Sequence, residues 1–431
     1  MMMQMSEGTL SLQVGKYDVK RRLGKGAIGT VYLAKDQFTG REVALKTIEP
    51  EVFQDPEFGA VHRAQFQNEA SLAGKLRHPH IVAILDAVVG EDSGHIAMEY
   101  VGGGDLSQHV KPGRLLSPAD VLQIGFKCCG AMDYAYREGG IVHRDIKPAN
   151  IMIVHGTEIR IADFGAAFLK KSQAAQTAAL GSPFYMAPEQ IEGRDPTFHS
   201  DMYSLGVVLY ELLTGRRPFG ADKLELLIEQ ILHTDPPAPS ELRAGLPREV
   251  DAVVLRAMKK DPAQRYGTWA QFGVELSNVV GRVLPASAIP DSEKYLAVSR
   301  VEMLQLLSDA EFWELAAAGK WRRAAKGEVI VEEDSQGTSF FFLAKGQAKV
   351  TKQGRLLNMI NEGECFGEMA FIRGGDEPRH ATVEAVSDAV LAELHPQTVE
   401  KMSLSAQLHL TRALVRNVVD RLALANMRIA R

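Results

Sequence analysis

The chain has 431 residues, enough for two or three domains with a sizeable core, and its 45% hydrophobic and 24% charged content excludes a wholly disordered or fibrous protein. A net charge of −5 argues against a nucleic-acid partner. Three cysteines (Cys128, Cys129, Cys365) draw neither a disulfide framework nor a four-ligand zinc site, and the Met-rich start lacks an apolar signal core, so a cytoplasmic protein with no membrane span is expected.

In chain order, Tyr17 to Asp36 predicts two strands around Gly24-Lys25-Gly26-Ala27-Ile28-Gly29, with Leu23 before the loop and Val31 after it in strand register. Glycines let a backbone approach phosphates closely, although many β-turns also carry two or three of them. Val43-Ala44-Leu45-Lys46 reads as the next strand, and Ala60 to Lys75 as a helix bearing Glu69, which by itself is an ordinary exposed helical acid. Ile96-Ala97-Met98-Glu99-Tyr100-Val101 reads as a buried strand running into Gly102-Gly103-Gly104. Ser117-Pro118-Ala119-Asp120 is a helix start, with a capping serine, proline at the first helical position and a carboxylate three residues after the cap; Gly139-Gly140 ends that helix. Cys128 and Cys129 inside it read as core residues.

His143 to Gly165 then places His143-Arg144-Asp145, Lys147, Asn150 and Asp163 around a β-like run, Ile151-Met152-Ile153-Val154. A hydroxyl attacking a γ-phosphate needs one carboxylate to orient it and accept its proton, plus an amide and a second carboxylate to hold magnesium on the phosphates. Asp145 fits the first job, and Asn150 and Asp163 fit the metal sites. Asp201 to Leu213 is apolar on most faces, as a helix sunk in a large core should be.

These motifs in this order resemble protein kinases, over about Tyr17 to Gly281. The resemblance implies a bilobal kinase domain over residues 17–281, with a small lobe to about 101 and a large lobe from 102. It implies that Lys46 holds the α/β-phosphates and pairs with Glu69, and that Lys147 contacts the transferring phosphate, as in the Ser/Thr branch. ATP would lie among Leu23, Gly24, Lys25, Gly26, Ala27, Ile28, Gly29, Val31, Ala44, Lys46, Met98, Glu99, Val101 and Met152, with Met98 at the gatekeeper position and the backbone of Glu99 and Val101 bonding adenine. Asp201 would bond the catalytic-loop backbone, and Arg265 would pair with Glu189. The activation segment runs from Asp163 to Glu189, departs from the family pattern at Ala166-Ala167-Phe168, and closes as in bacterial-type Ser/Thr kinases. It carries Ser172, Thr177 and Ser182, of which Thr177 is the expected phosphosite and Arg144 its expected partner.

After a linker at residues 282–291, rich in Pro, Ala and Ser, a second domain is expected over 292–431. Two amphipathic helical stretches, Ser292 to Leu307 and Ser308 to Gly319, precede short β-runs punctuated by Gly327, Gly337, Gly346, Gly354 and Gly363, which suggests a small antiparallel barrel. Gly363 to Phe371 followed by Pro378-Arg379-His380-Ala381 resembles the phosphate-binding cassette of cyclic-nucleotide-binding domains. There Glu368 would accept the ribose 2′-hydroxyl and Arg379, with helix N-terminal amides, would neutralise a cyclic phosphate. Gly367, Met369, Ala370, His380 and Ala381 complete the expected site. From Pro396 an amphipathic helix with Leu408, Leu414, Val415, Val418, Val419 and Leu422 on one broad face would serve as a lid or as the helix of a homodimer.

The fold class expected is therefore α+β: a bilobal protein-kinase fold followed by a small antiparallel β-barrel of cyclic-nucleotide-binding type with flanking helices. The implied function is ATP- and magnesium-dependent transfer to Ser/Thr hydroxyls of a protein substrate, regulated by cAMP or cGMP; His380, standing where cGMP sites often use threonine, tips the expectation to cAMP. The competing reading is a non-catalytic scaffold whose barrel is a docking module without ligand. Catalytic loss usually shows as replacement of the metal or base residues, and Lys46, Asp145, Asn150 and Asp163 are all present.

Overall fold

The structure, a computed structural model, describes residues 12–26, 29–57, 59–72, 74–90, 93–164, 183–285, 287–374 and 378–429. The chain divides into two compact units, Met1–Val283 and Leu284–Arg431.

The first unit opens with six antiparallel strands: β1 (Gln13–Val14), β2 (Tyr17–Gly26), β3 (Gly29–Asp36), β4 (Glu42–Ile48), β5 (Ile84–Val89) and β6 (Gly94–Glu99), in the spatial order β1-β2-β3-β4-β6-β5. Strand side chains alternate in direction. Val43 and Leu45 therefore join Tyr17, Ala34 and Ala97 in one core cluster, while Ile48 packs with Phe53, Phe66 and Ile96 in another. Lys46 shares the direction of Ile48 and so faces the helix Gly59–Ser71, which carries Phe66 and Glu69. That helix stops at Ser71, four residues before the expected Lys75, because the chain turns over Leu72 to Lys75 around Gly74 at φ +71°.

Below the sheet, the helix Pro118–Gly139 begins as expected: the Asp120 amide donates to Ser117 Oγ at 3.1 Å. It ends at Gly140, whose φ of +61° suits a residue without Cβ. Cys128 and Cys129 are buried in its packed face. The helix Phe198–Thr214 is buried at every position from Ser200 on, which explains its unbroken apolar character. The short hairpin β7 (Ile151–His155) and β8 (Glu158–Ile161) lies between them in sequence. Beneath the large lobe, Arg265 donates to both oxygens of Glu189 at 2.7 and 2.9 Å, with both side chains buried. The last helix of this unit, Trp269–Val283, runs two residues past the expected boundary at Gly281.

In the second unit, the stretch from Ser292 to Leu307 is not one helix. Asp291–Ser299 is helical, and after a break at Arg300 the segment Glu302–Leu304 forms a single 3-10 turn that buries Leu304. The helix Asp309–Ala318 follows, with a capping box between Ser308 and Glu311. Eight strands then form two antiparallel sheets: β9 (Lys320–Ala324), β10 (Val329–Val331), β11 (Phe340–Lys345), β12 (Ala348–Lys352), β13 (Arg355–Ile360), β14 (Cys365–Phe366), β15 (Thr382–Ala385) and β16 (Ala389–Leu394). Their orders are β10-β15-β12-β13 and β14-β11-β16-β9. Alternation along β11 splits its apolar run between two cores. Phe341 and Leu343 pack among the strands, while Phe340 and Phe342 pack with the helices.

The terminal stretch corrects a second expectation. Pro396–Val399 is a separate helical turn, and the long helix is Leu404–Ile429. Its buried stripe is Ala406, Leu410, Ala413 and Leu414, whereas Leu408, Val415, Val419 and Leu422 are exposed and Val418 is half-buried. Hydrophobic periodicity reports that a helix has sides but weighs large residues most. Here the packed side is built partly from alanines.

Candidate active site and cyclic-nucleotide pocket

The Lys46 ammonium donates to Glu69 Oε2 at 2.6 Å and to Asp163 Oδ1 at 3.1 Å. Burial by itself would push this lysine's pKa down, but the carboxylates of Asp163 and Glu69 outweigh it and hold the group above its ordinary value. In return the lysine holds the Asp163 carboxyl below the usual carboxylate range. The array is therefore a fixed cation between two carboxylates, with a net charge of −1 that a divalent cation beside Asp163 would offset when an anionic phosphate binds.

Asp145 sits across the same cavity. Lys147 Nζ donates to its Oδ2 at 2.7 Å, and Asn150 Nδ2 donates to its backbone oxygen at 2.8 Å and to Oδ2 at 3.1 Å. The loop carrying these groups is fastened from beneath. The amides of His143 and Arg144 donate to Asp201 Oδ2 and Oδ1 at 2.6 and 2.7 Å, and the buried His143 ring lies 3.1 Å from the Ala162 oxygen and 4.5 Å, centre to centre, from Phe164. Burial pushes the Asp201 carboxyl up to about 6 in spite of these bonds, which favour the anion. Two non-glycine residues here take left-handed backbone, Arg144 at φ +69° and Asp163 at φ +67°. Such conformations cost about 1–3 kcal/mol each and persist only where the surroundings impose them.

The cavity between the lobes has a volume of about 710 Å³. Asp145, Lys147, Asn150, Asp163, Lys46 and Glu69 all line it, as do Leu23, Gly24, Gly29, Val31, Ala44, Met98, Glu99, Val101 and Met152 from the expected nucleotide set. Lys25 and Gly26 pair with Thr30 and Gly29 in the hairpin; Lys25 is not among the residues of its lining, and Ala27 and Ile28 lie outside the described residues. Gly29 is required by close approach: a Cβ there would stand 2.1 Å from the Thr47 oxygen. Asn150 and Asp163 offer the oxygen donors that magnesium prefers, and the remaining ligands in such sites come from phosphates and water, so the residues present fit the ion. Val82, Asp105 and Met186 also line the cavity and were not anticipated. Only Met186 had a cue, its place just before Ala187-Pro188-Glu189. Gly165, the segment 165–182 with Ser172, Thr177 and Ser182, and the departure at Ala166-Ala167-Phe168 lie outside the described residues.

The second unit holds a cavity of about 290 Å³ lined by Gly367, Glu368, Met369, Ala370, Arg379, His380 and Ala381, the whole expected set. Arg379 is buried, and its Nη2 donates to the Ser339 oxygen at 2.7 Å and to Ser339 Oγ at 3.2 Å, while Nη1 lies 3.4 Å from the Gly367 oxygen. Ser339 in turn donates to Glu393 Oε1 at 2.8 Å. Burial lowers the pKa of Arg379, and Glu393 opposes that shift. Gly367 has φ +80°, and a Cβ on it would stand 2.8 Å from Arg379 Nη1, so the turn needs glycine twice over. Glu368 is buried, and Arg421 from the terminal helix donates to its Oε1 at 2.7 Å and to the Cys365 oxygen at 2.6 Å. Arg421 lines the cavity too, and sequence reasoning missed both it and Ser339. Neither lies within a motif. His380 is exposed at the cavity wall.

Among the described residues no group of three or more His, Cys, Asp or Glu side chains is placed to hold a metal ion by itself, and no helix is long and apolar enough to cross a membrane. Residues 17–273 match the protein kinase domain model, and residues 321–405 match the cyclic nucleotide-binding domain model. The chain is similar to the serine/threonine-protein kinase PknB of Mycobacterium leprae, 38% identical over 271 residues that make up 61% of this chain and 43% of the relative. It is also similar to PknB of Mycolicibacterium smegmatis, 37% identical over 298 residues, 67% of this chain and 46% of that one. The matches thus span less than half the length of these relatives. Among solved structures, a mutant of the Mycobacterium tuberculosis PknI kinase domain matches 64% of this chain over its own full length, with 32% identity and a TM-score of 0.50. The kinase model spans more than half of the residues and includes the Lys46, Asp145 and Asp163 array, and on that footing the chain belongs to the protein kinase domain family.

Proposed function

We propose that this protein is an ATP- and magnesium-dependent Ser/Thr protein kinase whose output is set by a cyclic nucleotide bound in the C-terminal domain. The observation that carries the reading is the facing of two groups across one cavity, the Lys46 cation held between Glu69 and Asp163, and the Asp145 carboxylate held by Lys147 and Asn150. Lys46 binds phosphate oxygens, Asp145 orients the acceptor hydroxyl and takes its proton, and Lys147 beside it meets the charge on the transferring group. Magnesium, when bound through Asn150 and Asp163, supplies charge neutralisation on the phosphates. The closing stretch Pro183 to Glu189 and Lys147 support Ser/Thr over Tyr as acceptor.

The regulatory half rests on the cavity in the second unit, where Arg379 and Arg421 outnumber the one carboxylate of Glu368. That balance suits an anion carrying a ribose hydroxyl, as a 3′,5′-cyclic purine nucleotide does. The short segment between Val283 and Asp291 tethers the two units at high local concentration, so coupling is available, and relief of inhibition is its expected sign. The test measures phosphate transfer by the full chain with ATP and magnesium, with and without cAMP or cGMP, beside Arg379→Ala. Transfer that is stimulated in the parent, and only at higher ligand concentration in the variant, supports the reading. No transfer under any condition overturns the kinase half, and ligand-blind transfer overturns the regulatory half.

A further inference from the structure

We propose that the acceptor groove selects proteins with an acidic side chain near the phosphorylated Ser or Thr, and that Arg217 reads it. The inference rests on the kinase reading above and names the substrate class of the same site. It begins from a carboxylate withdrawn from use. Glu211 is buried on the helix Phe198–Thr214, and both of its oxygens are occupied: Tyr185 Oη donates to Oε2 at 2.6 Å and Arg217 Nε donates to Oε1 at 3.2 Å. A basic substrate residue approaching this wall therefore finds no anion to pair with.

What faces outward is the opposite charge. The Arg217 side chain is 40% exposed, and its guanidinium carbon lies 4.0 Å from the centre of the Phe184 ring. Stacking on the Phe184 ring, bonding through Nε to Glu211 and a side-chain contact with Tyr185 fix the plane of the fork. A planar guanidinium held in this way, with part of its edge still open to solvent, matches a carboxylate. Arg216 beside it is exposed as well, and its guanidinium has no partner among the described residues, so the local balance of Arg216, Arg217 and Glu211 is one net positive charge.

The position relative to the chemistry follows from the chain. Met186 lines the catalytic cavity with Asp145 and Lys147, and Phe184 precedes it by two residues within a 3-10 turn, so it lies less than about 7 Å of backbone away. The Pro183–Tyr185 turn is pinned, since Ser204 Oγ donates to the Tyr185 oxygen at 2.7 Å and the Met186 amide to the Pro183 oxygen at 3.1 Å. An extended peptide whose hydroxyl rests at Asp145 advances about 3.3 Å per residue, so the position that meets Arg217 is found by scanning the residues on either side of the acceptor.

The experiment uses the full chain and a set of Ser/Thr peptides that carry Glu, Gln or Lys at each of the four positions on either side of the acceptor. The expected result is a preference of about tenfold in kcat/KM for Glu over Gln at one or two adjacent positions, falling as salt rises. In Arg217→Gln, which retains a donor for Glu211, that ratio should fall to about one, and Arg217→Lys should restore part of it. Equal use of Glu and Gln by the parent at every position, or a preference that survives in Arg217→Gln, overturns the proposal. So does an Arg217→Gln that alters only phosphorylation of the chain's own activation segment and keeps the peptide ratio. Failure of the parent to phosphorylate any peptide or itself would instead overturn the kinase reading.

Discussion

Asp201→Asn should separate stability from activity. The native carboxylate is fully buried, and its pKa of about 6 against an ordinary 3.8 means that keeping it ionised at neutral pH costs about 3 kcal/mol. Asparagine removes that cost but can accept through only one oxygen, so either the His143 or the Arg144 amide loses its partner. A lost hydrogen bond to a charged acceptor is worth about 1.5–3 kcal/mol, and an orphaned buried donor costs a similar amount. The two sides largely offset, and the unfolding free energy of the first unit should fall by no more than about 3 kcal/mol. Activity should fall much further, on the order of 100-fold, because a displacement of about 1 Å in a reacting group is enough for that. The pH dependence carries the sign. The folded state keeps a proton on Asp201 that the unfolded chain releases between about pH 4 and 6, so this group's contribution to stability falls as pH rises through that window and is flat above it. Activity runs the other way, since the two backbone bonds need the anion, and it should drop below pH 6 in the parent but not in the variant. Urea titration with peptide phosphorylation over pH 5–8 reads all three quantities; a variant with parental activity, or one destabilised by more than about 4 kcal/mol, would refute this reasoning.

The remaining expectations are simpler. Asp145→Asn should lower phosphate transfer by about 10²- to 10⁴-fold with ATP affinity little changed, measured by steady-state labelling and nucleotide titration. Arg265→Met leaves Glu189 buried without its bidentate partner and should destabilise the first unit by about 3–5 kcal/mol, read from the urea midpoint. Arg379→Ala should weaken cyclic-nucleotide binding by roughly ten- to a hundredfold in calorimetry, while Arg421→Gln should weaken it by about tenfold, because it leaves the Glu368 anion uncompensated beside the ligand's phosphate. Binding unaffected by Arg421→Gln would mean that the terminal helix has no part in the site.

The parts legible in the sequence were those in which chemistry fixes short spacings. Asp145, Lys147, Asn150 and Asp163 lie within one run of chain, and the cassette from Gly363 to Ala381 holds both Glu368 and Arg379, so local pattern was enough to nominate them. Arg421 is 53 residues from Glu368, and it reaches that carboxylate only because the terminal helix packs on Ala406, Leu410 and Leu414 instead of its larger apolar residues. The Tyr185, Glu211 and Arg217 cluster was hidden for a similar reason. Its members lie on a turn, a buried helix and the loop after that helix, and only folding brings them together. Helix ends were misjudged where a local turn interrupted the periodic pattern, at Ser71 before Gly74 and at Ser299 before the Glu302–Leu304 turn.

The left-handed backbone at Arg144 and Asp163 also bears on the order in which the protein is made. A ribosome delivers the Lys46 strand, the catalytic loop and Asp163 before it delivers the helix Phe198–Thr214, whose Asp201 accepts the amides of His143 and Arg144. Until that helix emerges and sinks into the large lobe, the unfavourable backbone conformation of Arg144 lacks the carboxylate that holds it. A nascent chain that ends before Asp201 therefore carries Lys46, Asp145, Asn150 and Asp163 while lacking the carboxylate that fastens the catalytic loop.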